Sequence, residues 1–456
     1  METPQEKKYR QMTESPIAPL ILRLAFPCII SMLVTSFYNM ADTFFVGKLN
    51  NNSATGAVGV VYSVMAIIQA IGFFFGQGSG SFISRELGKQ NRDTASKMVA
   101  TGFSCSLLFG VAISTLGLLF LDPLTRLLGS TETIFPYAKS YLRIILLGTP
   151  WMSTALVLNN QLRFQGNAIY GMAGITTGAV LNMILDPVLI FVCNMGVSGA
   201  ALATVISQFV SFCLLLVGTT RGSNLRIHLS QTQFRLEYLK NIFQGGFPSL
   251  ARQSLASIAT ISMNLAAKKY GDVAIAAMSV TQRIMMFGAS AMLGFGQGFQ
   301  PFCGFNYGAK KYKRVIQGFW FAVKVSSLFL LGIGALGFVY TPQLISIFRD
   351  DPQVIACGAV ALRAQCITLF THAFLVMSNM MLQTTGRTGP ATFLSMARQG
   401  LFFLPLILIL PWLLGLTGVQ IAQAVADCFA VACAILVQRR TLKELRVMSG
   451  EASKTH

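Results

Sequence analysis

Twelve predominantly apolar stretches, each 22 to 30 residues long, run along the chain. They lie at about 20–45, 54–81, 97–121, 133–160, 169–193 and 197–219, then at about 240–267, 273–302, 315–341, 353–382, 390–414 and 417–438. About 20 such residues in a helix cross roughly 30 Å of hydrocarbon. Inside hydrocarbon only a segment that pairs its own backbone polar groups is stable. The expected fold is therefore all-α and integral to a membrane, with twelve transmembrane helices. Composition agrees. With 53% hydrophobic and 11% charged residues, 35 basic and 16 acidic side chains are too few to cover water-soluble domains, which excludes a soluble enzyme. The nine cysteines are scattered without a C-x-x-C pair, which argues against a disulfide scaffold or a zinc module.

The net charge of +19 raises the question of nucleic acid, and the placement of the basic residues answers it. Alternate loops carry Arg85, Lys89, Arg92 and Lys97, then Arg163, then Arg221, Arg226, Arg235 and Lys240, then Lys310, Lys311, Lys313 and Arg314, then Arg387. The opposite loops hold only Lys48, Arg126, Lys268, Lys269 and Arg349. This is the asymmetry of the positive-inside rule, not a nucleic-acid footprint. It places both termini in the cytoplasm of a multi-pass inner (plasma) membrane protein. The polar stretch 1–19 has no small-residue cleavage site after it and reads as a cytoplasmic tail. The expected divisions are that tail, a six-helix lobe over 20–220, a cytoplasmic linker over 221–239, a second six-helix lobe over 240–438 and a cytoplasmic tail over 439–456.

The two lobes are copies. A shift of 220 places sets Phe75-Gly76-Gln77-Gly78 on Phe295-Gly296-Gln297-Gly298, Phe82 on Phe302, Gly88 on Gly308 and Gly166 on Gly386. A shift of 221 sets Phe26-Pro27 on Phe247-Pro248, and one of 219 sets Gly196 and Gly199 on Gly415 and Gly418. Because each copy has an even number of helices, the second enters the membrane from the same side as the first, and the repeats are parallel. Two six-helix bundles in a 6+6 plan around a central cleft can rock to open that cleft to alternate sides. Transport is the first reading of such a plan, although duplication also builds channels and inert scaffolds.

Gly76-Gln77-Gly78-Ser79-Gly80 looks like a phosphate-cradling loop, but it ends an apolar helix and follows no strand, so close helix packing is the better account. No nucleotide-binding, metalloprotease or nucleophile-elbow motif occurs, so no catalysis, ATP use, metal or cofactor is expected. Energy must then come from an H+ or Na+ gradient or from a partner. An ionised carboxylate in hydrocarbon costs at least a few kcal/mol, which singles out Asp42, Asp186 and Asp427 within the spans. Asn182 lies four residues before Asp186 and shares its helix face. Thr204 and either Asn159 or Asn160 are expected to join them, offering the hard oxygen ligands that suit a proton or Na+. The alternatives stay open: Asp186 as a packing acid satisfied by Asn182, Asp42 as an interfacial residue, and Asp427 as either, with no partner evident in sequence.

Three stretches carry a resemblance. Asn39-Met40-Ala41-Asp42-Thr43-Phe44-Phe45-Val46-Gly47, Leu181-Asn182-Met183-Ile184-Leu185-Asp186-Pro187 and Gly196-Val197-Ser198-Gly199-Ala200-Ala201-Leu202-Ala203-Thr204 resemble signatures of the multidrug and toxic compound extrusion (MATE) family, in a likeness that runs the whole chain. The resemblance implies export of amphipathic, often cationic small-molecule drugs against H+ or Na+, by a V-shaped pair of lobes in the lipid bilayer. In the family's branch with an N-lobe ion site, the coupling acids correspond to Asp42 and Asp186, beside Asn182, Thr204 and an Asn of the fourth helix, with Tyr38 one turn before Asp42. A monomer is expected. The seventh and tenth helices here lack the acids of another branch. The C-terminal half instead holds Arg252, Arg283, Lys324, Arg363, Arg398 and His372 in or near spans, and Met285 and Met286 are adaptable walls or lipid-facing filler. Cleft-lining cations such as Arg283 and Arg398 would favour a rival cargo, a lipid-linked polyprenyl phosphate precursor moved by a flippase.

Overall fold

The computed structural model describes residues 3–49 and 51–450, and among them it is helical with no strand. A short α1 (Pro4–Glu14) leads into α2 (Ile17–Gly47), α3 (Asn52–Gly88), α4 (Arg92–Leu119), α5 (Leu121–Leu127), α6 (Phe135–Phe164), α7 (Ala168–Pro187) and α8 (Gly196–Thr220). The second half runs α9 (Leu236–Lys268), α10 (Asp272–Gly308), α11 (Tyr312–Val339), α12 (Thr341–Phe348), α13 (Pro352–Leu369), α14 (Thr371–Thr384), α15 (Thr388–Met396), α16 (Leu404–Leu414) and α17 (Leu416–Met448). Wider π-type turns follow α7 at Val188–Val192 and separate α15 from α16 at Ala397–Phe403. With α13 and α14, and α15 and α16, each counted as one crossing, the twelve spans stand as six and six. Among the described residues, eleven helices are long and apolar enough to cross a membrane. The twelfth span, α9, is diluted by Gln244, Arg252, Gln253, Ser254 and Thr260.

Boundaries differ from the hydropathy reading where polar residues continue a helix. α3 and α10 run to Gly88 and Gly308 rather than ending near 81 and 302, because leaving hydrocarbon does not stop a helix. What ends both is a chain reversal, with Gln90 at φ 62° and Lys310 at φ 59°. The repeat is thus written in backbone angles as well as in letters. Gly166 and Gly386 match at φ 78° and 81°, Gly196 and Gly415 at 55° and 62°, and the short α5 and α12 correspond. Left-handed angles of this kind are where glycine carries no Cβ penalty.

The chain forms two compact units, one of Met1–Gln11 with Ile30–Gly246 and one of Met12–Ile29 with Phe247–His456. The expected lobe boundary over 221–239 therefore does not separate them; the divisions fall inside α2 and α9, beside Pro27 and Pro248. The repeated Phe-Gly-Gln-Gly motif supplies the physical reason. In the first unit a Cβ on Gly78 would lie 2.2 Å from the Ile242 carbonyl oxygen, so α3 and the start of α9 touch backbone to backbone. In the second, a Cβ on Gly298 would lie 2.2 Å from Ala25 Cα, so α10 seats the start of α2 in the same way. The first glycine of each motif admits a side chain from its own bundle, Asn160 at Gly76 and Met380 at Gly296. Gly298→Val is therefore expected to lower the thermal midpoint of the detergent-solubilised protein, by an overpacking cost of about 1–3 kcal/mol or more. Gly332→Ala, with no atom within 4 Å of the added Cβ, serves as a neutral control.

Candidate functional site

One ridge of α7 carries the chemistry. Gly174, Gly178, Asn182 and Asp186 recur every four residues, so they line up along the helix face that meets α8. The two glycines let the helices close: a Cβ on Gly174 would overlap Leu215, and one on Gly178 would overlap Ser211 and the Ser207 carbonyl. Asn182 and Asp186 continue the same seam, opposite Thr204. Asp186 has 0% of its surface exposed, and Asn182 and Thr204 have 2% each. The Asn182 amide donates to Asp186 Oδ1 and to Thr204 Oγ1, both at 3.4 Å. With the amide turned over, its nitrogen donates to Asp186 Oδ2 and its oxygen accepts from the Thr204 backbone N–H, each at 3.3 Å.

Local backbone explains why an acid sits here. Pro187 has no N–H, and the turn after it widens, with the Cys193 N–H reaching the Val188 carbonyl five residues back. Gly199 then lets the start of α8 lie on that widened turn, where a Cβ would fall 2.6 Å from the Leu189 carbonyl oxygen. Asp186 is thereby held at the end of regular α-helix, beside a π-type turn of the kind frequent at functional sites.

Asp42, late in α2, is part of the same unit and within electrostatic range of Asp186. Its Oδ1 is sealed from solvent and has no hydrogen-bond partner among the described residues. Tyr38 lies within reach of both acids and of Tyr62, with the Gln208 amide against its hydroxyl. Tyr141 of α6, fully buried, adds a further hydroxyl within range of both carboxyl groups. Asn182 and Thr204 also line a cavity of about 120 Å³, together with Tyr38, Gln69, Ser207 and Ser211, while neither acid is part of its wall. The Ser207 and Ser211 hydroxyls are buried with no partner among the described residues. A cavity of that size and polarity holds several waters or a partly hydrated monovalent cation. Two carboxyl groups within electrostatic range of each other repel when both are ionised, and a proton or a cation taken up by the pair removes the repulsion.

The fourth-helix asparagines are elsewhere. Asn160 donates to the Leu156 carbonyl at 2.7 Å and accepts from Arg163 Nη2 at 2.5 Å, facing Gly76. Asn159 faces Gly171, about four helical turns before Asp186 along α7. Neither hydrogen-bonds to the acids. The residues that escaped the sequence reading are Tyr141, in electrostatic range of both acids, and Tyr62 and Gln208, which stand beside Tyr38. Gln208 had a signal, being a polar residue one turn after Thr204 in an apolar helix; Tyr141 had none.

In the second unit Asp427 is fully buried and far from partnerless. His372 Nε2 lies 2.6 Å from Oδ2, and Arg398 Nε and Gln423 Nε2 donate to Oδ1 at 2.7 and 2.9 Å. Arg398, grouped with the cleft cations, spends its charge on this carboxylate, and His372 belongs to the same network. Arg283 and Met286 are exposed, whereas Met285 packs on a buried apolar cluster around Leu362.

The family model described as MatE matches residues 27–188 and again 248–409. The multidrug export protein MepA of Staphylococcus haemolyticus is 27% identical over 424 residues, covering 93% of each chain. MepA of Staphylococcus aureus strain NCTC 8325 is 26% identical over 447 residues, covering 96% of this chain and 97% of its own. Among solved structures, a MOP superfamily transporter from Pyrococcus furiosus, described as having a binding pocket of reverse polarity that suggests a different function, matches with a TM-score of 0.90 at 27% identity over 96% of this chain and 99% of that one. A MATE structure in a straight conformation matches with a TM-score of 0.91 at 28% identity.

Proposed function

Because the chain belongs to the MatE family, whose members are membrane transporters and not enzymes, we propose that it exports amphipathic organic compounds in exchange for H+ or Na+. The observation that carries this reading is the sealed Asp186–Asn182–Thr204 cluster, with Asp42 in electrostatic range and with Asn182 and Thr204 on the wall of a cavity that neither acid lines. Burying carboxyl groups this deeply costs several kcal/mol, and ion exchange is a function that repays it. In the proposed cycle a proton or Na+ enters from outside and occupies the acid pair. The bundles then rock by alternating access, and the ion leaves to the cytoplasm while the drug is carried outward. Each pH unit of gradient supplies about 1.4 kcal/mol per proton, and each charge crossing 100 mV about 2.3 kcal/mol. In this reading the protein sits in the inner membrane with both termini cytoplasmic, an orientation that the loop charges support. The flippase reading needed free cations at Arg283 and Arg398, and the ion pair to Asp427 removes the second.

The test is energised membrane vesicles carrying the protein and a fluorescent lipophilic cation. Transport should stop when a protonophore or a sodium ionophore collapses the gradient. Undiminished transport in the presence of both would refute ion coupling. Thr204→Ala, which removes one hydroxyl ligand and leaves the carboxyl groups, is expected to weaken the apparent affinity for the coupling ion several-fold, by about 1 kcal/mol. A titration of transport against external ion concentration measures it.

A further inference from the structure

A second cavity, of about 860 Å³, opens on the flank of the second unit between α11, α14 and α17. Its walls are apolar and partly open: Trp320 is 39% exposed and Ile435 37%, and the Trp320 and Phe374 rings lie 6.3 Å apart. Along α17 its lining runs Val431, Ile435, Arg439, Leu442, Lys443 and Arg446, at spacings of three and four that draw one stripe down the helix. The stripe changes character at its end. Beyond Ile435 it carries three cations, at the end of the unit where α11 begins and α17 finishes.

These cations are not consumed by the protein. Glu444, the acid nearest in sequence, turns to the other side and pairs with Arg387 and Arg440. Arg439, Lys443 and Arg446 are exposed and form no ion pair among the described residues. An apolar trough ending in unneutralised guanidinium and ammonium groups is complementary to one kind of molecule in its surroundings. Basic pockets between transmembrane helices at that level bind anionic head groups. We propose that this groove is a binding site for an anionic phospholipid, its phosphate held by Arg439, Lys443 and Arg446 and its acyl chains lying along Trp320, Phe374 and Ile435. A zwitterionic lipid fills the same trough but leaves the three charges uncompensated. The site is independent of the ion-coupling acids and stands whether or not the export reading does.

Trp320 reports on the groove directly. The chain has three tryptophans, so Trp151→Phe with Trp412→Phe leaves Trp320 alone, and Trp151→Phe with Trp320→Phe leaves Trp412, which is 83% exposed and outside the groove. Both proteins are reconstituted in mixed vesicles containing phosphatidylglycerol or phosphatidylcholine with brominated acyl chains, and tryptophan quenching is measured against mole fraction. The expected result is a preference of Trp320 for the anionic lipid on the order of fivefold or more, given about 1 kcal/mol per interfacial cation. Trp412 should show none. The preference at Trp320 should fall to about one in a variant with Arg439→Gln, Lys443→Gln and Arg446→Gln. Equal quenching of Trp320 by the two lipids overturns the proposal without any charge variant being needed. So does an equal preference at Trp412, which would reflect the overall positive charge, and so does a preference that survives loss of the three cations.

Discussion

Replacing Asp186 by Asn is expected to reduce ion-driven drug export at least about tenfold, to the background of vesicles lacking the protein, while leaving folded yield unchanged. The substitution conserves shape, and the amide can still hydrogen-bond to Asn182 and within the α7–α8 seam. It removes the one property an uncoupled helix contact does not need, the capacity to carry a negative charge and trade it for a proton or cation. Thermal stability should hold or rise, because a neutral amide is cheaper to bury than a carboxylate. The two readouts therefore separate the candidate roles. A packing acid predicts a loss of stability with transport retained; a coupling acid predicts a loss of transport with stability held or raised. Asp42→Asn is expected to act in the same direction. Transport assays with matched expression, together with melting curves of the purified variants, check both.

The second large effect is expected in the other unit and has the opposite signature. Arg398→Ala should destabilise the protein by about 3–5 kcal/mol, because it leaves a fully buried Asp427 with only His372 and Gln423 as partners. Breaking one side of a buried ion pair costs far more than the pair itself contributes. The double change Arg398→Gln with Asp427→Asn removes both charges and should recover most of the loss. Melting curves of the single and double variants measure the coupling directly, and additive losses would mean that the 2.7 Å contact is not the source of stability.

The sequence shows clearly those features that depend on one element at a time. Span length and hydropathy mark the twelve crossings, eleven of them strongly, and the period of four through Gly174, Gly178, Asn182 and Asp186 already places the amide and the acid on one face. What needs two elements is legible only in part. Asn159 and Asn160 are adjacent, so they point about 100° apart, and nothing in α6 says which of its faces meets α7. The structure turns Asn160 to Arg163 and Gly76 and Asn159 to Gly171. Asp427 looked partnerless because His372 is 55 residues away and Arg398 is presented by a π-type turn that has no clear sequence mark. The division of the chain inside α2 and α9 was hidden for the same reason. Pro27 and Pro248 stand out in the letters, but which bundle each half-helix packs on is decided by glycines 164 and 273 residues distant, Gly78 for Ile242 and Gly298 for Ala25.

The central claim is that Asp42 and Asp186 couple ion movement to drug movement, and ion flux in proteoliposomes tests it most directly. With drug inside and a proton or Na+ gradient across the membrane, the native protein should move ions only when drug is present, and the Asp42→Asn, Asp186→Asn double variant should move neither. Drug transport by the native protein without accompanying ion flux, or full drug-dependent ion flux by the double variant, would contradict it.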